Sequence, residues 1–214
     1  MAEKVRVAVL LSGRGTNMLA LSEYKRRHPE RSYELALVAS NVPEARGLVL
    51  ARRLDIPTWA KSHRGMPREA FDRLLDAELR ARGIEIVALA GYMRLLSEEF
   101  ASAWEGRILN IHPSLLPAHK GLDTHRRAIE AGDAFAGCTV HIVTPALDDG
   151  PVLAQSRVRI RPQETEEKLA ARVLEEEHRL YPQALEDYCR AILAARRGDA
   201  PESLRLDVER NKEP

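Results

Sequence analysis

Short apolar runs alternate along this chain with longer segments in which apolar residues recur every three or four positions. The first run, Val5–Leu11, is rich in valine and leucine, and helical spacing follows it from Thr16 to about Arg27. This alternation predicts strands that are joined by helices. The predicted strands are 5–11, 33–39, 84–90, 107–111, 138–143 and 152–160, and the predicted helices are 16–27, 45–54, 67–82, a short one from Ser97, and 164–193.

The order of these elements indicates the fold class. Residues 84–90 are apolar almost without a break, which is typical of a strand covered on both faces. We therefore predict an α/β fold, with a Rossmann-like, open, mostly parallel sheet and flanking helices. Pro182 predicts a break or a kink in the last helix near Tyr181.

Composition narrows the class of protein. The length of 214 residues favours a single domain, which we place at 1–195, with a charged tail at 196–214. Lys and Arg number 33 and Asp and Glu 32, so the basic excess typical of nucleic-acid-binding proteins is missing. The two cysteines, Cys138 and Cys189, form neither a disulfide framework nor a metal pattern. Without an apolar run long enough for a membrane span or leader, a cytoplasmic protein is expected.

A glycine-rich segment, Ser12-Gly13-Arg14-Gly15-Thr16-Asn17, separates the first predicted strand from the first helix. Glycines allow a sharp turn, and the amides at a helix N-terminus attract anions, so this loop suits a small-molecule phosphate. The dinucleotide fingerprint fits badly because Met18 stands where a third small residue belongs. A tight turn that binds no ligand remains the alternative.

The segment Leu109-Asn110-Ile111-His112-Pro113 carries the clearest chemical signal. Asn110 and His112 are two residues apart on an extended segment, so they face one side, about 6.6 Å apart along the strand. An amide that donates to an oxyanion and an imidazole that exchanges protons suit acyl-type chemistry. The spacings of His112, His119, His125 and His141 match no common metal site, so no metal is expected.

An acidic turn, Asp148-Asp149-Gly150-Pro151, joins the last two predicted strands. Asp and Gly are common turn residues, so the segment can be a plain turn. If it folds over His112 instead, one carboxylate can orient the imidazole. The residues alone do not decide between these two interpretations.

Four segments in this order, 12–17, 89–96, 110–117 and 147–151, resemble the folate-dependent formyltransferases. The resemblance runs from the first strand to about Tyr181 and is closest to the branch of the family that acts on glycinamide ribonucleotide. It implies transfer of a formyl group from the co-substrate 10-formyltetrahydrofolate to the primary amine of that ribonucleotide, in de novo purine (IMP) biosynthesis. It implies neither a metal nor a covalent enzyme intermediate.

The resemblance also implies roles for individual residues. The catalytic residues would be Asn110, His112 and Asp148. The ribonucleotide contacts would be Gly15, Thr16, Asn17, Met18, Leu19 and Glu177. The folate contacts would be Arg68, Met93, Arg94, Leu95, Leu96, Thr144, Pro145, Ala146 and Leu147, together with Asn110 and Asp148.

Three other functions compete with this one. A formyltetrahydrofolate deformylase would use the same three catalytic residues with water as the acceptor, and a methionyl-tRNA formyltransferase would need a further nucleic-acid-binding domain. A non-catalytic nucleotide-binding module would need only the glycine-rich loop. Asp123 stands where some relatives have His or Asn, which leaves its contacts open. The expected partners are the two small-molecule substrates, without nucleic acid or membrane, and a homodimer is left open.

Overall fold

The computed structural model describes residues 3–199. Its elements, in chain order, are β1 (Val5–Leu11), α1 (Thr16–Arg27), β2 (Tyr33–Ser40), α2 (Arg46–Arg53), β3 (Thr58–Ala60), α3 (Arg68–Ala81), β4 (Ile86–Leu89), α4 (Glu98–Ala103), β5 (Ile108–His112), α5 (Thr124–Glu130), β6 (Phe135–Ile142), β7 (Val152–Arg159) and α6 (Glu166–Arg196). Within this range no helix, α6 included, is long and apolar enough to cross a membrane.

The strands form one sheet in the order β3-β2-β1-β4-β5-β6-β7. Strands β1 to β5 are parallel to one another, and β6 and β7 are added to β5 in antiparallel pairing at one edge. The predicted α/β class and the mostly parallel sheet are therefore confirmed. The strand order reverses between β1 and β4, and ligands of open α/β sheets bind at the carboxyl ends of strands beside such a point.

Buried side chains cover both faces of the sheet. On one face α1 and α6 pack against the strands, and on the other face α3 and α4 do. Tyr181 of α6 is fully buried, and its hydroxyl is shared between the carbonyl oxygens of Leu89 and Leu109, at 3.0 and 3.1 Å. A buried hydroxyl needs such an acceptor, so this contact holds α6 across the neighbouring strands β4 and β5.

Capping side chains explain where two of the helices, α4 and α6, begin. Ser97 caps α4, because its side chain accepts a hydrogen bond from the Phe100 amide at 3.2 Å. Thr165 caps α6 in the same way through the Lys168 amide, and acidic residues occupy the first turn of both helices.

The structure differs from the sequence-based prediction at three elements, α6, β3 and α5. The predicted break at Pro182 is wrong, because α6 continues through this buried residue, and the alternative of a kink stays a prediction. A proline removes one backbone hydrogen bond, whereas burial of Leu185 and Cys189 holds the following turns against the sheet. The short strand β3 and the short helix α5 were not predicted. The tail predicted at 196–214 lies outside the described residues from position 200 onwards.

Two glycines allow the loop after β1 to approach α2. Gly15 has φ +78°, and a Cβ atom built on it would lie 2.6 Å from the Gly47 Cα atom. A Cβ atom on Gly47 would lie 2.5 Å from Leu11 Cδ2. The Gly47 amide donates to the Gly13 carbonyl oxygen at 3.0 Å. The glycine-rich loop is therefore held against the start of α2, and this contact requires glycine on both sides.

Replacing Gly47 with alanine tests this close approach. We expect Gly47→Ala to lower the free energy of unfolding by about 1–3 kcal/mol, because the new methyl group overlaps the buried Leu11 side chain. Gly13→Ala is the control, since a Cβ atom there meets no atom within 4 Å. Urea unfolding of both variants measures the difference, and equal stabilities would contradict the described packing.

Candidate active site

The carboxyl end of β5 carries two of the predicted catalytic residues. Asn110 lies opposite Leu89 of β4 and His141 of β6, while His112 lies opposite Thr139 of β6. His112 is 6% exposed. The two side chains therefore come from the strand end at which a ligand of this fold class binds.

Asp148, from the acidic turn between β6 and β7, reaches this strand end. Its Oδ2 atom lies 3.4 Å from His112 Nδ1 and accepts a hydrogen bond of 2.9 Å from the Gly121 amide. Its Oδ1 atom lies 3.7 Å from His141 Nε2. The acidic turn thus folds over His112, and the structure brings Asn110, His112 and Asp148 together.

The backbone of this turn is constrained. Asp148 has φ +48°, a left-handed conformation that is uncommon for a residue with a side chain and often occurs at functional sites. A Cβ atom on Gly150 would lie 1.8 Å from the Ile142 carbonyl oxygen, so this position requires glycine. Next to Asp148, Asp149 forms an ion pair with Lys120. The turn and the 117–123 loop therefore contact each other at two neighbouring points.

His141 determines the orientation of the Asn110 amide. The His141 Nδ1 atom lies 3.0 Å from the Ile142 carbonyl oxygen, which can only accept, so the ring carries its proton on Nδ1. Its Nε2 atom then accepts from Asn110 Nδ2 at 3.2 Å. Burial lowers the pKa of His141, which favours this neutral form. The amide nitrogen of Asn110 retains its second N–H for a ligand.

His112 contacts the 117–123 loop through its other ring nitrogen. The Nε2 atom lies 3.1 Å from the His119 carbonyl oxygen, and Nδ1 faces Asp148. Both neighbours are acceptors, so a doubly protonated His112 donates to both and a neutral one to a single neighbour. His119 itself has φ +53°, and its Nε2 atom lies 2.6 Å from Asp133 Oδ2. Asp133 therefore anchors the loop that supplies the carbonyl group.

The predicted ribonucleotide contacts lie around the start of α1. Gly15 precedes the helix, and the amides of Thr16, Asn17 and Met18 occupy its first turn, where amides have no acceptor within the helix. The side chain of Met18 is fully buried in the core, so only its backbone can meet a ligand. The Leu19 amide already donates to Gly15, at 3.0 Å, which leaves its partly buried side chain for contact.

Glu177 and Asn17 join α6 to this helix start. Asn17 Nδ2 donates to Glu177 Oε2 at 2.7 Å, and both residues are buried. Within residues 3–199, Asn17 Oδ1 is buried without a hydrogen-bond partner. Burial raises the pKa of Glu177, and the hydrogen bond from Asn17 opposes this shift. Asn17 and Glu177 therefore form a buried polar pair at the start of α1, and one oxygen atom of this pair has no hydrogen-bond partner among the described residues.

The predicted folate contacts form two exposed segments near the carboxyl ends of the strands. Met93 and Leu95 are 72% and 55% exposed, and Leu147, beside Asp148, is 55% exposed. Arg94 is held from α3, because its guanidinium lies over the Phe71 ring at 5.2 Å. The other members of the two segments are Leu96, Thr144, Pro145 and Ala146, and Arg68 is the first residue of α3. The exposed apolar side chains on these two segments are suited to contact with an apolar ligand.

Sequence reasoning missed several groups at this site. Sequence patterns present His141 only as a candidate metal ligand and assign no role to the Gly121 amide or the His119 carbonyl group. Their position depends on the antiparallel pairing of β6 and on the 117–123 loop, which local patterns do not predict. Among the described residues, no group of three or more His, Cys, Asp or Glu side chains is placed to hold a metal ion.

The pH dependence of stability tests the burial of Glu177. Its raised pKa means that the folded protein keeps a proton over a pH range in which the unfolded chain has lost it. The associated stability is present below the pKa of the unfolded chain and is lost as the pH rises through that of the folded protein. We expect Glu177→Gln to remove this loss, so that the variant gains stability relative to the wild type as the pH rises.

Urea unfolding between roughly pH 4 and pH 8 measures this difference, a range that brackets the ordinary glutamate pKa. Glu175→Gln is the control, because Glu175 lies on the exposed side of the same helix. Parallel stability curves for Glu177→Gln and the wild type would contradict the buried carboxyl group.

Comparisons with known proteins identify the family of this chain. A model of the formyl transferase family matches residues 5–185. The chain is 42% identical over 179 residues to the phosphoribosylglycinamide formyltransferase of Escherichia coli (strain K12), covering 83% of this chain and 84% of that protein. The solved phosphoribosylglycinamide formyltransferase of Brucella melitensis superposes with a TM-score of 0.83 at 46% identity, covering 87% of this chain and 96% of that one.

A longer relative shares the same region. The chain is 45% identical over 184 residues to the trifunctional purine biosynthetic protein adenosine-3 of Gallus gallus. The match covers 86% of this chain but only 18% of that protein, so the chain spans less than a fifth of its length. The family match and the bacterial relatives cover most of the chain. This chain belongs to the formyl transferase family.

Proposed function

We propose that this protein transfers a formyl group from 10-formyltetrahydrofolate to the primary amine of N1-(5-phospho-D-ribosyl)glycinamide, the glycinamide ribonucleotide of de novo purine biosynthesis. The observation that carries the proposal is the contact of Asp148 with His112, beside Asn110, at the carboxyl end of β5. The family of the chain and the names of its bacterial relatives support the same reaction.

The acceptor would bind between α1 and α6. Its phosphate group would accept hydrogen bonds from the amides at Gly15, Thr16 and Asn17, where the helix dipole favours an anion. The buried carboxyl group of Glu177 would accept hydrogen bonds from the ribose hydroxyls. Asn17 Oδ1, which is buried without a partner among the described residues, is one further acceptor at this position.

The donor would bind across the exposed segments 93–96 and 144–148. Its pterin and aryl rings would cover apolar side chains that are now in contact with water, among them Met93 and Leu147. Arg68 and Arg94 would provide positive charge for the anionic end of the donor. The near-zero net charge of the whole chain is compatible with such a local concentration of charge.

In the reaction, the acceptor amine would attack the formyl carbon and form a tetrahedral intermediate with an oxyanion. The free N–H of Asn110 and a protonated His112 would stabilise this negative charge, and Asp148 would orient the imidazole ring. The carbon–nitrogen bond to the folate would then break. A proton would pass from the attacking amine to the leaving folate nitrogen through His112 or a bound water.

The His119 carbonyl oxygen occupies a hydrogen-bonding position on His112 that the oxyanion would need. His112 Nε2 lies 3.1 Å from this oxygen, and Nδ1 is directed at Asp148. The formyl oxygen would therefore replace the His119 carbonyl as acceptor when the donor binds. Catalytic hydrogen bonds are often formed fully only in the complex.

The thiol groups support direct transfer without a covalent enzyme intermediate. Cys138 and Cys189 are fully buried, and burial raises the pKa of Cys138 to about 12 and that of Cys189 further. A thiol acts as a nucleophile in its thiolate form, which these sites disfavour. The acceptor amine would therefore be the nucleophile.

We place this activity in one catalytic domain at 1–195, acting in the cytoplasm on the two small-molecule substrates without nucleic acid. All described strands belong to a single sheet, which supports a single domain. The balance of 33 basic and 32 acidic residues supports the absence of nucleic-acid binding.

An absorbance assay tests the reaction. We expect loss of 10-formyltetrahydrofolate only when glycinamide ribonucleotide is present. His112→Ala should lower kcat/KM by at least about a hundredfold, because it removes a general acid and an oxyanion donor. His28→Ala, a partly exposed histidine after α1, is the matched control and should keep the activity.

Two outcomes would contradict the proposal. Loss of the folate at the same rate with and without the ribonucleotide would indicate a hydrolase of the deformylase type. No loss in either mixture, with binding of the ribonucleotide retained, would indicate a binding module.

A further inference from the structure

The Ser12 side chain lies between the two proposed substrate regions. Its hydroxyl accepts a hydrogen bond from the Met93 amide at 2.7 Å and donates one to Asn41 Oδ1 at 2.6 Å. The Ser12 amide donates to the Gly91 carbonyl oxygen at 3.0 Å. The end of β1 is therefore joined at two points to the segment after β4, on which the donor would bind.

Asn41, which accepts the hydrogen bond of the Ser12 hydroxyl, is a buried residue with further contacts. It follows β2 and is 2% exposed, and His63 Nδ1 lies 2.9 Å from its carbonyl oxygen and 3.0 Å from its Nδ2 atom. The His63 amide donates to the Asn41 carbonyl oxygen at 3.3 Å. The Ser12 hydroxyl is thus oriented by the side-chain amide of a buried residue that also contacts His63. Because the hydroxyl has one proton, donation to Asn41 leaves its lone pairs for Met93.

The fold does not require a hydrogen-bond partner within the protein for the Met93 amide. The hydrogen bond to Ser12 is exposed, so water can replace it at little cost in stability. Its effect is to select one position for the backbone of Met93, whose side chain is 72% exposed. On the other side, Ser12 directly precedes Gly13, which accepts from Gly47 in the contact that positions the glycine-rich loop.

We propose that Ser12 is a positioning residue that couples the two substrate sites, so that each substrate binds more tightly when the other is bound. The glycine-rich loop, Ser12 and the Met93 backbone are joined by hydrogen bonds, so a phosphate that shifts the loop to its bound position also shifts the Met93 backbone to the position that the donor meets. The second substrate then no longer bears the free-energy cost of that shift, which is the physical basis of positive coupling. This inference rests on the proposed function.

Calorimetry with a non-reacting substrate pair measures the coupling. Tetrahydrofolate, which lacks the formyl group, is titrated into the protein with and without saturating glycinamide ribonucleotide, and the ratio of the two Kd values is the coupling factor. We expect a factor of about five or more in the wild type, and the same factor when the order of ligands is exchanged. In Ser12→Ala we expect a factor close to one.

Two further variants separate coupling from stability. Ser12→Cys keeps the size of the side chain but is a weak hydrogen-bond donor and acceptor, so it should also lose the coupling. Ser32→Ala is the matched control, because the Ser32 hydroxyl donates to Glu186 at 3.0 Å at the opposite end of the sheet. This control should keep the full coupling factor even where its thermal stability falls.

The outcomes distinguish this proposal from the function on which it rests. A wild type that binds both ligands without coupling, or Ser12 variants that keep the wild-type factor, would overturn the role of Ser12 and leave formyl transfer intact. A wild type that binds neither ligand would overturn the proposed function and this inference with it. Loss of coupling in both Ser12 variants, with coupling retained in Ser32→Ala, is the supporting result.

Discussion

The carboxylate of Asp148 is almost shielded from water, and the elements around it compensate its charge. Its side chain is 8% exposed and meets His112 and the Gly121 amide, which can both donate hydrogen bonds to it. A buried charge without such partners would cost several kcal/mol. The left-handed backbone at Asp148 and the tight turn at Gly150 are the conformations that bring the carboxylate to these partners. The chemistry proposed for the site depends on this arrangement.

The sheet explains why the partners come from different parts of the chain. Its parallel half places the amide-rich start of α1 and the end of β4 beside each other at the point where the strand order reverses. Its antiparallel half places His141 opposite Asn110, which only the pairing of β5 with β6 achieves. The proposed acceptor and donor regions therefore meet at β5, where the sheet changes from parallel to antiparallel pairing.

Much of this organisation could be predicted from local patterns. The two-residue spacing of Asn110 and His112 indicates a shared strand face, and the proline after His112 favours an extended end. The contact of Asp148 with His112 could not be decided from turn residues alone, because it depends on the pairing of β6 and β7. It was placed near His112 only by resemblance to a family.

Other features could not be predicted from the sequence for similar reasons. The role of His141 depends on antiparallel register, which is a long-range property. Proline at position 182 favours the end of a helix, but tertiary packing overrides this local preference, because the turns that follow Pro182 are buried against the sheet. The side chain of Met18 faces the core because its helix packs on the sheet, whatever its backbone binds.

The central claim is that the formyl group passes directly to the acceptor amine at the site formed by Asn110, His112 and Asp148. Its most direct test is carbon-13 NMR of the protein with 10-formyltetrahydrofolate labelled at the formyl carbon and glycinamide ribonucleotide. The account predicts that the label appears as an amide on the glycinamide nitrogen and that none is released as formate. Label recovered as free formate, or left on the folate, would contradict it.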